Sequence, residues 1–183
     1  MYISIGTDQY YVLHPRPVYL IVSRGRDGKL NVMSAAWVSP ISDEPFTIAT
    51  SIWKGSLTFQ YINETKEFTV NIPSEDHVNA VFKAGTITGR DADKLSLLGL
   101  RTFKSKHIET PGLEQMLGFL ECRVLNTLEF GESAVFIAEV LEVHVDGKLY
   151  TKHGWDLNKA KILLHNGGRS FSIPSKLILP EKQ

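Results

Sequence analysis

The sequence predicts a mostly β fold with a few short α helices, arranged as an antiparallel barrel, and three observations predict it. Short runs rich in β-branched and aromatic residues recur along the 183-residue chain, joined by turns that contain glycine. Helical periodicity is confined to brief stretches between those runs. No G-x-G-x-x-G links a strand to a helix, so a doubly wound dinucleotide-binding sheet is not expected.

The elements follow in order. Val18 to Ser23 and Leu30 to Val38 read as a β-hairpin around Gly25-Arg26-Asp27-Gly28, with Asp27-Gly28 supplying the positive φ of a tight turn. Phe46 to Ile52 is the next strand, set off by Ser42-Asp43-Glu44-Pro45. A first helix runs from Ser56, a candidate N-cap, to about Glu64. Phe68, Val70 and Ile72 then alternate with Glu67, Thr69 and Asn71, the pattern of a half-buried strand.

Ser74 caps a second helix whose Val78, Val81 and Phe82 share one face and which Gly85 stops. A third, short helix spans Asp91 to Leu98 and ends at Gly99. Strands return in the last third. Leu120, Cys122 and Val124 alternate with Glu121 and Arg123, and Val135 to Val145 is one long strand. Asp146-Gly147 turns the chain, and Ile162 to His165 and Ser170 to Ile173 flank the turn Asn166-Gly167-Gly168-Arg169.

Composition narrows the function. One domain over residues 1–183 is expected at this length. Lys plus Arg and Asp plus Glu balance at 20 each, which argues against a nucleic-acid binder. No apolar run approaches the roughly 20 residues of a membrane span, and the first nine residues lack a secretory pattern. Cys122 is alone, so no disulfide or thiolate zinc cluster forms within the chain, in keeping with a cytoplasmic setting. The histidines form no i, i+4 pair, so no metal site is expected, and His144 reads as a surface or edge residue.

Two segments stand out as a candidate site. Met33-Ser34-Ala35-Ala36-Trp37 is a strand poor in bulky side chains, which lets a planar ring approach the backbone; it equally suits a strand packed closely under a helix. Ser51-Ile52-Trp53-Lys54-Gly55-Ser56-Leu57-Thr58 brings two hydroxyls and an ammonium to a helix start. Free N–H groups of a first turn favour a phosphate there, though an ordinary Ser-capped helix beside a solvated lysine has the same letters. Arg90, Asp91, Asp93 and Lys94 form a mixed-charge patch, readable as a solvated face or as a reach toward a cofactor tail.

The chain resembles the flavin reductase-like family, and within it the archaeal branch of FMN-binding proteins that includes flavoredoxin-like members. The resemblance rests on Leu13-His14-Pro15-Arg16-Pro17, Asn31 to Trp37, Asp43-Glu44-Pro45-Phe46 and Lys54 to Thr58. It continues through Glu64-Thr65-Lys66-Glu67-Phe68-Thr69-Val70-Asn71-Ile72-Pro73, Asp93-Lys94, Leu98-Gly99-Leu100, Leu120-Glu121-Cys122, Ile137 to Val140 and Leu164 to Gly168.

That resemblance implies an FMN-binding split barrel and a homodimer with each FMN site near the interface. It implies ring contacts from Ser34, Ala35 and Ala36 within Met33 to Trp37, and phosphate contacts from Lys54, Ser56 and Thr58 within Ser51 to Thr58. Trp53 would shield the flavin edge, and the region Thr88 to Lys94 would surround the cofactor tail. Catalytic side chains are not assigned, because the flavin carries the chemistry. Two activities fit: an NAD(P)H-dependent flavin or ferric reductase, and an electron carrier reduced by a protein partner. The chain departs from many family reductases at one turn, where Gly131-Glu132-Ser133 stands in place of Gly-Asp-His.

Overall fold

The computed structural model describes residues 2–181. After a 3-10 turn at Tyr10–Leu13 come β1 (Arg16–Pro17), β2 (Tyr19–Arg24), β3 (Leu30–Ala35), β4 (Val38–Asp43) and β5 (Phe46–Trp53). Helix α1 (Leu57–Thr65), β6 (Glu67–Ile72), α2 (Val78–Thr86) and α3 (Lys94–Leu97) follow. The short β7 (Thr102–Phe103) and β8 (Gly112–Leu113) precede the long hairpin of β9 (Gly118–Phe130) and β10 (Ser133–Val145). The chain closes with β11 (Tyr150–Thr151), β12 (Gly154–Trp155), β13 (Leu164–Gly167) and β14 (Ser170–Ser172).

Seven strands make one antiparallel sheet in the order β3-β2-β6-β9-β10-β5-β4. Its two outermost strands, β3 and β4, are consecutive in sequence, with only Ala36 and Trp37 between them. Three virtual bonds span at most about 11 Å, so the two edges of the sheet come together. They meet without pairing, which leaves a curled sheet with a seam: a split barrel. Ala36 and Trp37 lie at that seam, and Trp37 O accepts a hydrogen bond from Ser51 N across it at 3.0 Å.

Alternation sorts apolar side chains into two cores. Ile21, Ile48, Ile52, Phe68, Val70, Cys122 and Phe136 fill the inside of the curl, and Ile62 of α1 plugs it, with Phe59 5.7 Å from Phe136. On the outer face Leu20, Val22 and Val32 pack against Val81 and Ala84 of α2 and Leu95 of α3. Register shifts in the β9–β10 ladder near Ile137 and Val140 mark bulges, which strengthen local twist.

Several sequence expectations change. The strand expected over Leu30 to Val38 divides at the seam, and β4 emerges in a stretch not read as a strand. Pro40 is tolerated there because β4 is an edge strand. In the first hairpin only Gly28 has positive φ, at 84°; the loop is closed by Gly25 N donating to Lys29 O at 2.8 Å. Strand β6 is buried on both faces rather than half-buried. Thr69 and Asn71 face inward under Pro111 and Leu113, and their polar groups are satisfied by Pro111 O, Leu20 O and Leu113 N.

Ser56 caps α1 as expected, accepting from Phe59 N at 3.1 Å. Ser74 starts a 3-10 turn, Glu75–His77, before α2 begins at Val78. Gly85 lies within α2 rather than stopping it, and its missing side chain leaves ordinary contact distance to Ser34 on β3. Helix α3 is shorter than expected, because Asp93 is its N-cap, accepting from Ser96 N at 3.2 Å.

Candidate cofactor site

Two cavities adjoin along the seam. The larger, about 450 Å³, has one wall of Met33 to Trp37 and another of Ser51, Ile52 and Trp53. The smaller, about 260 Å³, contains Ser56, Thr58, Thr88 and Lys94. Met33, Trp53, Gly85 and Thr86 line both, so they form one bent cleft with an apolar end and a polar end.

At the apolar end the backbone is exposed for a structural reason. Strand β3 pairs with β2 alone and ends at the seam, so its other edge is not hydrogen-bonded within the sheet. Ala35 and Ala36 add no bulk there. The Ser34 hydroxyl is already committed, donating to Val81 O of α2 in a short bond. Trp37 and Trp53 are exposed at the cleft, and Trp37 meets Tyr10 edge-on with centroids 5.4 Å apart.

The polar end is buried. Thr58 is 1% exposed, and its Oγ1 accepts from Asn31 Nδ2 at 2.8 Å. That bond leaves Asn31 Oδ1 buried with no partner among the described residues, an acceptor waiting for a donor. Lys94 is 4% exposed, and its ammonium donates to Ala84 O at 2.9 Å. Burial pulls its pKa down to about 8, because desolvation penalises the charged form. The first turn of α1 adds free N–H groups, Leu57 and Thr58, beside this lysine.

The cleft therefore gathers twelve of the thirteen site residues expected from sequence: Met33, Ser34, Ala35, Ala36, Trp37, Ser51, Ile52, Trp53, Ser56, Thr58, Thr88 and Lys94. Lys54 lines neither cavity. Its ammonium pairs with Glu129 at 3.0 Å on the rim of the β9–β10 hairpin. The Ser56 hydroxyl is occupied as a cap and as a donor to Trp53 O at 2.8 Å. Ser133, in the departing turn, sits directly opposite Trp53 in the β5–β10 ladder.

Sequence reasoning missed the outer wall of the larger cavity. Tyr10, Tyr11 and His14 come from the N-terminal segment, His165 and Phe171 from the C-terminal hairpin, and β1 pairing with β13 joins them. His14 Nδ1 lies 2.9 Å from His165 O, so that nitrogen carries the hydrogen. Its Nε2 is left as a buried acceptor without a partner. The available signal was His14 within the Leu13-to-Pro17 phrase. Asn31 was equally visible as the first letter of a matched phrase.

The match to known proteins covers this whole arrangement. Residues 11–173 fit the model of the flavin reductase like domain. The chain belongs to the flavin reductase-like family. It is 33% identical over 163 residues to a protein of Archaeoglobus fulgidus, spanning 89% of this chain and 90% of that one. Its structure matches the flavoredoxin of Desulfovibrio vulgaris (Miyazaki F) with a TM-score of 0.88 at 28% identity, over 98% of this chain and 97% of that one. A flavoredoxin from Methanosarcina acetivorans gives a TM-score of 0.88 at 25% identity, over 98% and 95%. Among the described residues no His, Cys, Asp and Glu cluster suits a metal ion, and no helix is long and apolar enough to cross a membrane.

Proposed function

We propose that the bent cleft binds FMN and that the protein is an NAD(P)H-dependent flavin or ferric reductase. The observation that carries the reading is the union of an unpaired, small-residue strand edge with a buried cationic end in one cleft. FMN, when bound, supplies hydride and single-electron chemistry. Lys94, Thr58, Thr88 and the first-turn N–H groups of α1 would hold its phosphate. The Asn31 Oδ1 and His14 Nε2 acceptors suit hydroxyl and N–H donors. The Met33-to-Ala36 edge would contact the ring and offer backbone donors to developing negative charge.

Homodimer formation and a cytoplasmic setting belong to the same proposal. Leu125, Leu128 and Phe130 project from the far half of β9, with Ile41 and Trp53 also exposed. A second copy of the chain would cover such a patch.

The second reading is an FMN-binding electron carrier reduced by a protein donor. Ser133 favours it, because no imidazole stands opposite Trp53 at the cleft. Anaerobic stopped-flow mixing of the flavin-loaded protein with NADH or NADPH separates the two. Rapid bleaching of the flavin band by either nucleotide supports the reductase. No bleaching by both, with ready reduction by a reduced ferredoxin, supports the carrier.

A further inference from the structure

A third cleft, about 810 Å³, opens beside the polar end of the cofactor site and shares Leu57 and Gly89 with it. We propose that this groove takes the adenylate half of FAD, so that the protein binds FAD as well as FMN. The inference rests on the FMN reading and extends the ligand at its phosphate end.

Position is the first argument. The groove adjoins the cavity of Thr58, Thr88 and Lys94, where a phosphate would lie, and not the apolar ring end. Gly89 stands where the two spaces meet. A side-chain carbon there would run into Asn31 Oδ1 and press on Leu57, so the boundary is kept low. A chain of atoms leaving the phosphate has this groove as its adjoining space. Its volume lies within the roughly 300–1,000 Å³ of small-molecule sites.

Charge is the second argument. Arg90 lies on the groove, two residues after Thr88, with its own N–H bonded to Thr88 Oγ1 at 3.2 Å. The neutral Gln60 Oε1 orients its guanidinium at 3.1 Å, and no carboxylate neutralises it among the described residues. Lys29, the other basic residue on the groove, is already paired with Asp27 at 3.3 Å. Arg90 is thus aimed but not spent, suited to the second phosphate of a dinucleotide.

Asp91 and Asp93 lie further along the groove. Two carboxylates repel any additional phosphate but accept hydrogen bonds from ribose hydroxyls. That pattern selects one more phosphate followed by a sugar, against a polyphosphate or an acidic peptide. Leu30, Tyr61 and Leu95 give the groove an apolar surface on which a base can rest.

The test uses the full chain stripped of flavin and titrated with FMN and with FAD, following flavin fluorescence. FAD is expected to bind within about tenfold of FMN, and Arg90→Ala to weaken FAD at least about tenfold while FMN changes less than about twofold. FMN binding with FAD more than about a hundredfold weaker overturns the proposal and leaves the FMN reading standing. Equal losses for both flavins in Arg90→Ala overturn it too, by placing Arg90 on the first phosphate. If neither flavin binds, both readings fall. Titration of the FMN-loaded protein with NADH is the remaining arm. Arg90-dependent NADH binding without FAD binding assigns the groove to a pyridine nucleotide and also overturns the proposal.

Discussion

Two residues with charged groups, Glu121 and Lys94, are buried in this protein, and their surroundings are opposite. Glu121 is 0% exposed and its carboxylate is surrounded by donors. It accepts from Lys106 N, His107 N and His144 Nε2, each at 2.7 Å. Burial alone would push its pKa up, but those bonds outweigh it and hold the carboxyl below its ordinary value. Lys94 has one bond, to Ala84 O, for an ammonium with three hydrogens, and it borders a cavity. A completed buried network is a structural clasp, here binding the segment around residues 106–107 to β9. An incomplete one beside open space is a site.

Removing each charge tests that distinction. Glu121→Ala leaves two backbone N–H groups and a histidine without their acceptor, and is expected to cost about 3 kcal/mol. Calorimetry should show a fall in Tm of roughly 6–12 °C, with flavin content per folded molecule unchanged. A variant that keeps its Tm but loses flavin would reverse the assignment. Lys94→Met should do the opposite. FMN affinity is expected to fall about 10- to 100-fold by fluorescence titration, with Tm held or raised because the desolvation penalty is gone.

The same lysine makes a pH prediction. Its folded pKa, about 8, lies below the unfolded value of about 10.4, so the unfolded chain binds more protons between them. The flavin-free protein should therefore gain stability as pH rises through that window. FMN affinity should fall over the same range, because the neutral amine no longer attracts phosphate. Denaturant titrations with and without FMN at several pH values check both slopes, and Lys94→Met should flatten them.

Thr58→Val is smaller. It strands Asn31 Nδ2 in a buried position, for a cost of about 1–2 kcal/mol in urea unfolding, and weakens FMN. The smallest effect is expected from Lys54→Ala, which removes a partly exposed ion pair worth well under about 1 kcal/mol. Its FMN affinity should change less than that of Lys94→Met. A larger loss would return the phosphate to Lys54, as the family resemblance implies.

Much of the cleft was legible because it is local. The small residues of Met33 to Ala36, the cap at Ser56 and the hydroxyl of Thr58 lie within a short stretch of chain whose chemistry shows in the letters. Other parts depend on long-range pairing. His14 and His165 meet across 151 residues through β1 and β13, and no local pattern marks that meeting. Lys94 stands among the exposed Arg90, Asp91 and Asp93, so its neighbours suggest a solvated face. The first turn of α3 carries it inward instead. Glu121 and His144 were read by strand alternation as facing solvent, or as edge residues. The Lys106–His107 segment covers the carboxylate, and Phe119 stacks on His144 with centroids 4.2 Å apart.

Cys122 sits in the interior core of the curled sheet, 0% exposed, and burial followed by the nearby Glu121 charge pushes its thiol pKa far up. A thiol that is neither reachable nor ionised is silent toward alkylating reagents while the sheet is intact. Its modification rate is therefore a clock for opening of the whole barrel, already carried by the native chain and needing no introduced label. Cysteines added elsewhere for spectroscopic probes would react against a blank background.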